Sequence, residues 1–307
     1  MAGVTAMKVT MTSRVRAYLA QRRALGFKLK SEGLLLLDFA RFADKCHRLG
    51  PIDLKLTLRW ATKPKSCDRL YHARRLEIVR TFAKHLAVEE PRTVVPPRHL
   101  LGPAHRRAEP YIYSNRQIQQ LMRNAGDLGG LLRRHTTRTL IGLLASTGLR
   151  ISEALKLQKG DVDLDTGVIT VRESKYRKTR FVPLHRTTVR PLQAYTRRRD
   201  ELWPLADSFF VSVRGTRWSC GAARGAFNQI RQGLLFTRRA PRLHDLRHTF
   251  TCRVLLRWQR TSVGAVGRVP ILSRYLGHTH VTDTFWYLTG IPELLAEAAK
   301  RSERLSR

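Results

Sequence analysis

Acidic residues are scarce in this chain. Only 23 Asp and Glu stand against 58 Lys and Arg in 307 residues, a formal net charge of +35. A surplus of this size predicts a polyanionic partner, through steering and counterion release. Long apolar runs are missing as well. No stretch reaches the ~18 uninterrupted apolar residues of a spanning helix, so no membrane span is expected. Leu34 to Leu37 is a short run bounded by Glu32 and Asp38. The N-terminus has no apolar signal-peptide core. Cysteine is sparse: Cys46, Cys67, Cys220 and Cys252 are scattered without a C-x-x-C pair. That argues against a zinc site and a disulfide framework, and predicts reduced thiols in the cytoplasm. Internal repeats and low-complexity tracts are also lacking. What is present is enough apolar material, 42% of residues, to fill the cores of two ordinary domains.

Residues 1–90 read as a small helical bundle. Val15, Tyr18 and Leu19 share a helical face, Leu34 to Phe42 forms a second run, Leu56 to Ala61 a third, and Leu70 to Leu86 a fourth. Its basic residues, among them Arg22, Arg23, Lys28, Lys30, Arg74 and Arg75, are expected on the surface. Residues 91–110 carry five prolines and a basic run, His105 to Arg107, which predicts an interdomain linker. The second domain, 111–307, reads as mainly helical. Ile118 to Met122, Leu140 to Leu144, Val189 to Leu202, Gly221 to Ile230, Leu243 to Trp258 and Pro270 to Leu276 are its helices. A last helix is lined by Leu294, Leu295 and Ala298. Val168 to Arg172 and Phe181 to Leu184 predict a β-hairpin with a basic tip, and Phe209 to Val211 a short strand. The fold class is therefore α+β, mainly α with a small sheet.

The chemistry concentrates between Leu243 and Tyr287. His244-Asp245-Leu246-Arg247-His248 opens a strong helix, Leu276-Gly277-His278 closes a short one, and Tyr287 follows in Phe285-Trp286-Tyr287-Leu288. Upstream, Thr147-Gly148-Leu149-Arg150 leads into Ile151-Ser152-Glu153. Attack on a phosphodiester builds negative charge on its non-bridging oxygens, and two arginine forks, Arg150 and Arg247, can clamp those oxygens. His244 and Arg247 share a helix face, with Leu246 and Phe250 anchoring another. His244 is the expected general base toward the tyrosine hydroxyl, and His278 the expected donor to a phosphate oxygen. Tyr287 is the expected nucleophile, with Tyr275 as its rival. A phenol with a pKa of about 10 needs nearby cations to act. A lysine on the hairpin tip, Lys175 or Lys178, would protonate the leaving oxygen or else only contact phosphate. Glu153 would orient Arg150 or His244, or be an ordinary surface carboxylate, and His248 is expected to play a supporting structural role.

In this order, Arg150, Lys175, His244, Arg247, His278 and Tyr287 resemble the catalytic set of the tyrosine recombinases, the phage integrase family. The resemblance runs from about Tyr111 to the C-terminus and more loosely over the N-terminal third. It implies a helical, SAM-like core-binding domain joined to a catalytic domain, closing as a clamp on duplex DNA. It also implies a 3′-phosphotyrosyl intermediate, a free 5′ hydroxyl and a Holliday junction, without ATP, divalent metal or any other cofactor. A homotetramer on two DNA sites is implied too, with Ile291 to Arg301 docking on a neighbour and co-encoded recombinases or accessory factors as further partners. Trp286-Tyr287-Leu288-Thr289 followed by Pro292-Glu293-Leu294-Leu295 resembles integrases of bacterial transposons and other mobile elements, so a cytoplasmic, nucleoid-associated enzyme of DNA integration or transposition is expected. The competing readings are a type IB topoisomerase and a catalytically silent DNA-binding regulator.

Overall fold

Side-chain caps start the N-terminal helices. Thr10 accepts from the Ser13 N–H at the head of α1 (Met11–Ala24), and Asp53 and Asp68 cap α3 (Leu54–Ala61) and α4 (Arg69–Glu89) in the same way. The N-terminus of α1 takes a second carboxylate, since Asp44 near the end of α2 (Lys30–Lys45) accepts from the Met11 and Thr12 N–H groups at 2.8 and 3.1 Å. Leu36, Phe39, Trp60, Val79, Phe82 and Leu86 fill the core among the four helices. Arg75 departs from the surface position expected of it. It is buried, stacks 3.7 Å over the Trp60 ring and donates to the Trp60 carbonyl. Asp38, which also accepts from the Trp60 indole, lies 3.5 Å from its guanidinium.

The computed structural model describes residues 9–46, 50–105, 109–172, 179–236, 240–260 and 266–290, with Leu295, Ala296 and Ala299 beyond them. The chain divides into two compact units, Met1–Ala108 and Glu109–Arg307. The proline-rich stretch after α4 has no helix or strand, yet much of it is bound to the first unit. The Val94 N–H donates to Ile52, Arg80 donates to the Pro96 carbonyl, and Val95 and Leu101 pack on the helical core. Proline removes donors, but the remaining backbone groups still find partners on the bundle.

In the second unit, Ser114 and Gln117 form a capping box on α5 (Asn115–Asn124). The long apolar α6 (Leu131–Thr147) packs against α5, α8 (Arg186–Leu202) and α10 (His244–Gln259). Between α7 (Ile151–Ala154) and α8 lies a three-stranded antiparallel sheet, β1 (Val162–Asp163), β2 (Val168–Val171) and β3 (Arg180–Pro183), in the order β1-β2-β3. Ile169 pairs with Val182, and both are fully buried. The expected hairpin is present. Its tip, with Lys175 and Lys178, lies outside the described residues. β1 is too short to carry a two-residue period. Phe209 to Val211 is not a strand: isolated bridges at Ser208 and Val211 flank two buried phenylalanines. α9 (Cys220–Ile230), α11 (Val269–Leu276) and α12 (Thr282–Gly290) complete the unit. Of the residues expected to line the last helix, Leu295 is helical, while Leu294 and Ala298 lie outside the described residues.

Candidate active site

The site is assembled around the C-terminal end of α11. Gly277 takes the left-handed conformation there, φ 67°, and stops the helix. The last carbonyls of a helix lack partners within it and carry the negative end of its dipole. Here three consecutive carbonyls accept from three arginines on three different elements. Arg180 of β3 donates through Nε to Tyr275 at 2.8 Å, Arg247 of α10 through Nη2 to Leu276 at 2.7 Å, and Arg150 before α7 through Nη2 to Gly277 at 2.9 Å. Arg247 reaches a second helix end as well, donating through Nη1 to the carbonyl of Gly148 at 2.8 Å. Gly148 is the left-handed residue that ends α6.

Glu153 ties two of these arginines together. Its carboxylate accepts from Arg150 Nη1 at 2.7 Å and from Arg180 Nη2 at 2.8 Å, and also from the Arg150 N–H at 3.0 Å, which caps α7. Burial opposes its charge, but hydrogen bonds and charge from Arg180, then Arg150, overcome that and hold it at about 2. Glu153 is thus bound to Arg150 and is no surface carboxylate. Arg247 is 2% exposed. Burial, then the charge of Arg150, lowers it to about 10, so it stays cationic at neutral pH.

Three histidines and a tyrosine complete the cluster. His278 follows Gly277, and its Nδ1 lies 2.7 Å from the hydroxyl of Thr284, whose side chain is fully buried on α12. On α10, the rings of His244 and His248 meet edge to face at 4.8 Å. Tyr287 is 3% exposed and packs with Cys252, Leu255, Leu272 and Leu276. The hydroxyl of Tyr287 is 2.6 Å from His248 Nδ1. Burial is the first cause lowering all three imidazoles: His248 to about 3 beside His244, and His278 to about 3 beside Arg247 and Arg150. His244 is lowered to about 4, next by Arg247 and Arg242, although solvent at its exposed edge screens part of that field. Near pH 7 the site therefore presents neutral imidazoles among fixed guanidinium charges. Such an array suits an anion and leaves ring nitrogens able to accept protons.

Five of the six residues expected to carry the chemistry, Arg150, His244, Arg247, His278 and Tyr287, come together here. The sixth, Lys175, and its alternative Lys178 lie outside the described residues. Tyr275 faces elsewhere: its ring stacks on Phe250 at 5.7 Å, and burial raises its hydroxyl to about 12. Two features escape the sequence reading. Arg180 is one cation in a basic hairpin, and nothing in the pattern shows it turned inward to Glu153. The contact of His248 with Tyr287 depends on where α12 crosses α10.

Residues 113–290 match the phage integrase family. Over 96% of its length the chain is 39% identical to a putative integrase/recombinase, y4rB, of Sinorhizobium fredii, 98% of which is covered. It is 25% identical to the tyrosine recombinase XerC of Leptospira interrogans over 87% of the chain and 85% of that protein. Among solved structures, the XerH site-specific recombinase bound to a palindromic difH substrate aligns over 95% of this chain and 85% of that one, with TM-score 0.69 and 18% identity. The Tn1549 transposon integrase in complex with a circular intermediate DNA aligns over 91% and 95%, with TM-score 0.68 and 16% identity. The site just described and these likenesses agree: the chain belongs to the phage integrase family, the tyrosine recombinases.

Proposed function

We propose that this protein is a site-specific recombinase of a bacterial mobile element that cuts and rejoins duplex DNA through a 3′-phosphotyrosyl intermediate. The observation that carries the reading is the convergence of Tyr287, two arginines and three histidines on one site. The free N–H directions of Arg150 and Arg247 receive the non-bridging oxygens of a phosphodiester and the charge that grows on them in the transition state. His278 adds a donor to the same group, and His244, expected as the base toward Tyr287, is assigned there instead because the Tyr287 hydroxyl meets His248. Tyr287 attacks phosphorus and the 5′ oxygen leaves, protonated by Lys175 or Lys178 from the hairpin tip. The tyrosyl ester keeps the bond energy, so the freed 5′ hydroxyl of a partner duplex closes the new joint without ATP. Because arginines supply the positive charge, the cycle needs no divalent metal.

In this reading residues 1–90 are a core-binding domain and 111–307 the catalytic domain. Four protomers act on two DNA sites in the bacterial cytoplasm, at the nucleoid, with co-encoded recombinases or accessory factors as further partners. The charge of +35 supports duplex binding.

The test is to incubate the protein with fragmented host DNA in EDTA, denature with SDS, and sequence the ends of protein-linked fragments. Adducts clustered at one sequence, and abolished by Tyr287→Phe while gel-shift affinity persists, are expected. Adducts at scattered sequences would point to a topoisomerase, and tight binding without adducts to a silent regulator.

A further inference from the structure

Tyr287 must lose a proton when its oxygen bonds to phosphorus. We infer that His248, rather than a purely structural residue, is the group that takes that proton. The inference rests on the recombinase reading above, and its first support is geometric. His248 Nδ1 lies 2.6 Å from the Tyr287 hydroxyl oxygen, within the range over which a base removes a proton. The His248 ring lies 5.5 Å from the Tyr287 ring and meets the His244 ring edge to face at 4.8 Å, so both neighbours hold it in place.

The role requires one tautomer: the phenol donates to Nδ1, and the neutral ring carries its hydrogen on Nε2. The groups facing His248 are His244, Asp245 and Arg247 on its own helix, Arg242 just before that helix, and Trp286 and Tyr287 on α12. Burial and the cations among them keep the imidazole neutral in the DNA-free protein, lowered to about 3. A ring so depressed is a weak base at rest. A phosphodiester entering beside Arg247 and Arg150 cancels part of that positive field and favours the imidazolium, with Asp245 acting in the same sense. Basicity thus rises only when substrate is in place.

The step balances. The Tyr287 oxygen forms a bond to phosphorus while its O–H bond breaks and the proton passes to Nδ1. The bond from phosphorus to the 5′ oxygen breaks, and that oxygen takes a proton from the hairpin lysine. In rejoining, the incoming 5′ hydroxyl attacks phosphorus, and His248 returns the proton to the departing phenolate. Rigid placement favours this role. His248 sits in the second turn of α10, whose Leu246 is fully buried, and Tyr287 is fixed by packing on Leu255, Leu272 and Leu276.

The test uses a short nicked duplex carrying the sequence mapped from wild-type adducts, which traps the cleaved state. Single-turnover adduct formation would be followed from pH 6 to 9 for wild type, His248→Ala, His248→Asn and Tyr287→Phe, with gel shifts and melting curves as controls. Asparagine can still accept a hydrogen bond from the phenol but cannot hold its proton. Both His248 variants should bind DNA and melt as wild type does, yet cleave about 100-fold or more slowly. Their rates should climb about tenfold per pH unit as hydroxide substitutes for the base, a steeper rise than in wild type. Added imidazole should restore part of the rate in His248→Ala only. Wild-type rate and pH profile in His248→Asn would overturn the assignment and leave only a positioning hydrogen bond. Adducts persisting in Tyr287→Phe would instead overturn the nucleophile, and with it the recombinase mechanism assigned to this site.

Discussion

At the scale of single residues, the site depends on two glycines as much as on its charged groups. Gly148 has φ +64°, and a methyl group there would lie 2.5 Å from Phe250 Cδ1. Gly277 has φ +67°, and the same addition would press to 2.8 Å on Arg180 Nη1. Each therefore combines a left-handed backbone with a close approach by a side chain that the site needs. Gly148→Ala should lower stability by about 2–4 kcal/mol, the sum of a strained backbone and overpacking against an aromatic ring. Urea denaturation measures it. Because the Gly148 carbonyl holds Arg247, cleavage should fall more than global stability alone accounts for. A loss below about 0.5 kcal/mol would mean that Phe250 yields and that this crossing is looser than its distances imply.

At the scale of elements, α11 is held at its C-terminus by β3, α10 and the head of α7 together. Arg180 is the strut from the hairpin, with a side chain 11% exposed and bonds to Glu153 and the Tyr275 carbonyl. Arg180→Ala leaves a buried carboxylate short of a partner, and should cost about 3–5 kcal/mol in thermal or chemical unfolding. Arg180→Lys should rescue little, because a compact ammonium cannot reproduce the planar fork that spans Glu153 and the Tyr275 carbonyl. Equal melting of wild type and Arg180→Ala would show that Arg150 alone satisfies Glu153. These elements were legible to different degrees. Helical periodicity finds α1 to α6 and α8 to α11, because each turns an apolar stripe to a core. The β-branched runs find β2 and β3. The motif residues from Arg150 to Tyr287 stand out because their chemistry is uncommon in that order. Arg75 and Arg180 do not stand out, since a guanidinium inside and one on the surface read alike in a chain with so many. The partner of Tyr287 is likewise invisible, because a helix crossing is set by packing between segments far apart in sequence.

At the scale of the whole molecule, acid works against the fold. His248 and His278 are depressed from 6.5 to about 3, so below pH 6.5 the unfolded chain binds protons that the folded one refuses. Their contribution is complete above about pH 6.5 and is lost as pH falls toward 3. Glu153, lowered from 4.5 to about 2, adds stability above pH 4.5 that fades as pH drops to 2. Both act in the same direction. Stability should fall by on the order of 3 kcal/mol between pH 6.5 and 4.5 from the two histidines. The double variant His248→Asn, His278→Asn should flatten that slope in melts across the same range. A slope identical to wild type would place the acid sensitivity elsewhere. The three arginines on the last carbonyls of α11 carry a different consequence, for the history of such a gene. A copy released from selection for strand exchange, but still needed as a folded DNA-binding protein, could not shed Arg150, Arg180 or Arg247 without loosening its own helix ends. Replacing the Tyr287 hydroxyl would break its contact with His248 but leave those helix ends held. Among descendants of this chain the arginines would outlast the activity, and the tyrosine, not the cationic clamp, would be the mark that separates a working enzyme from its relic.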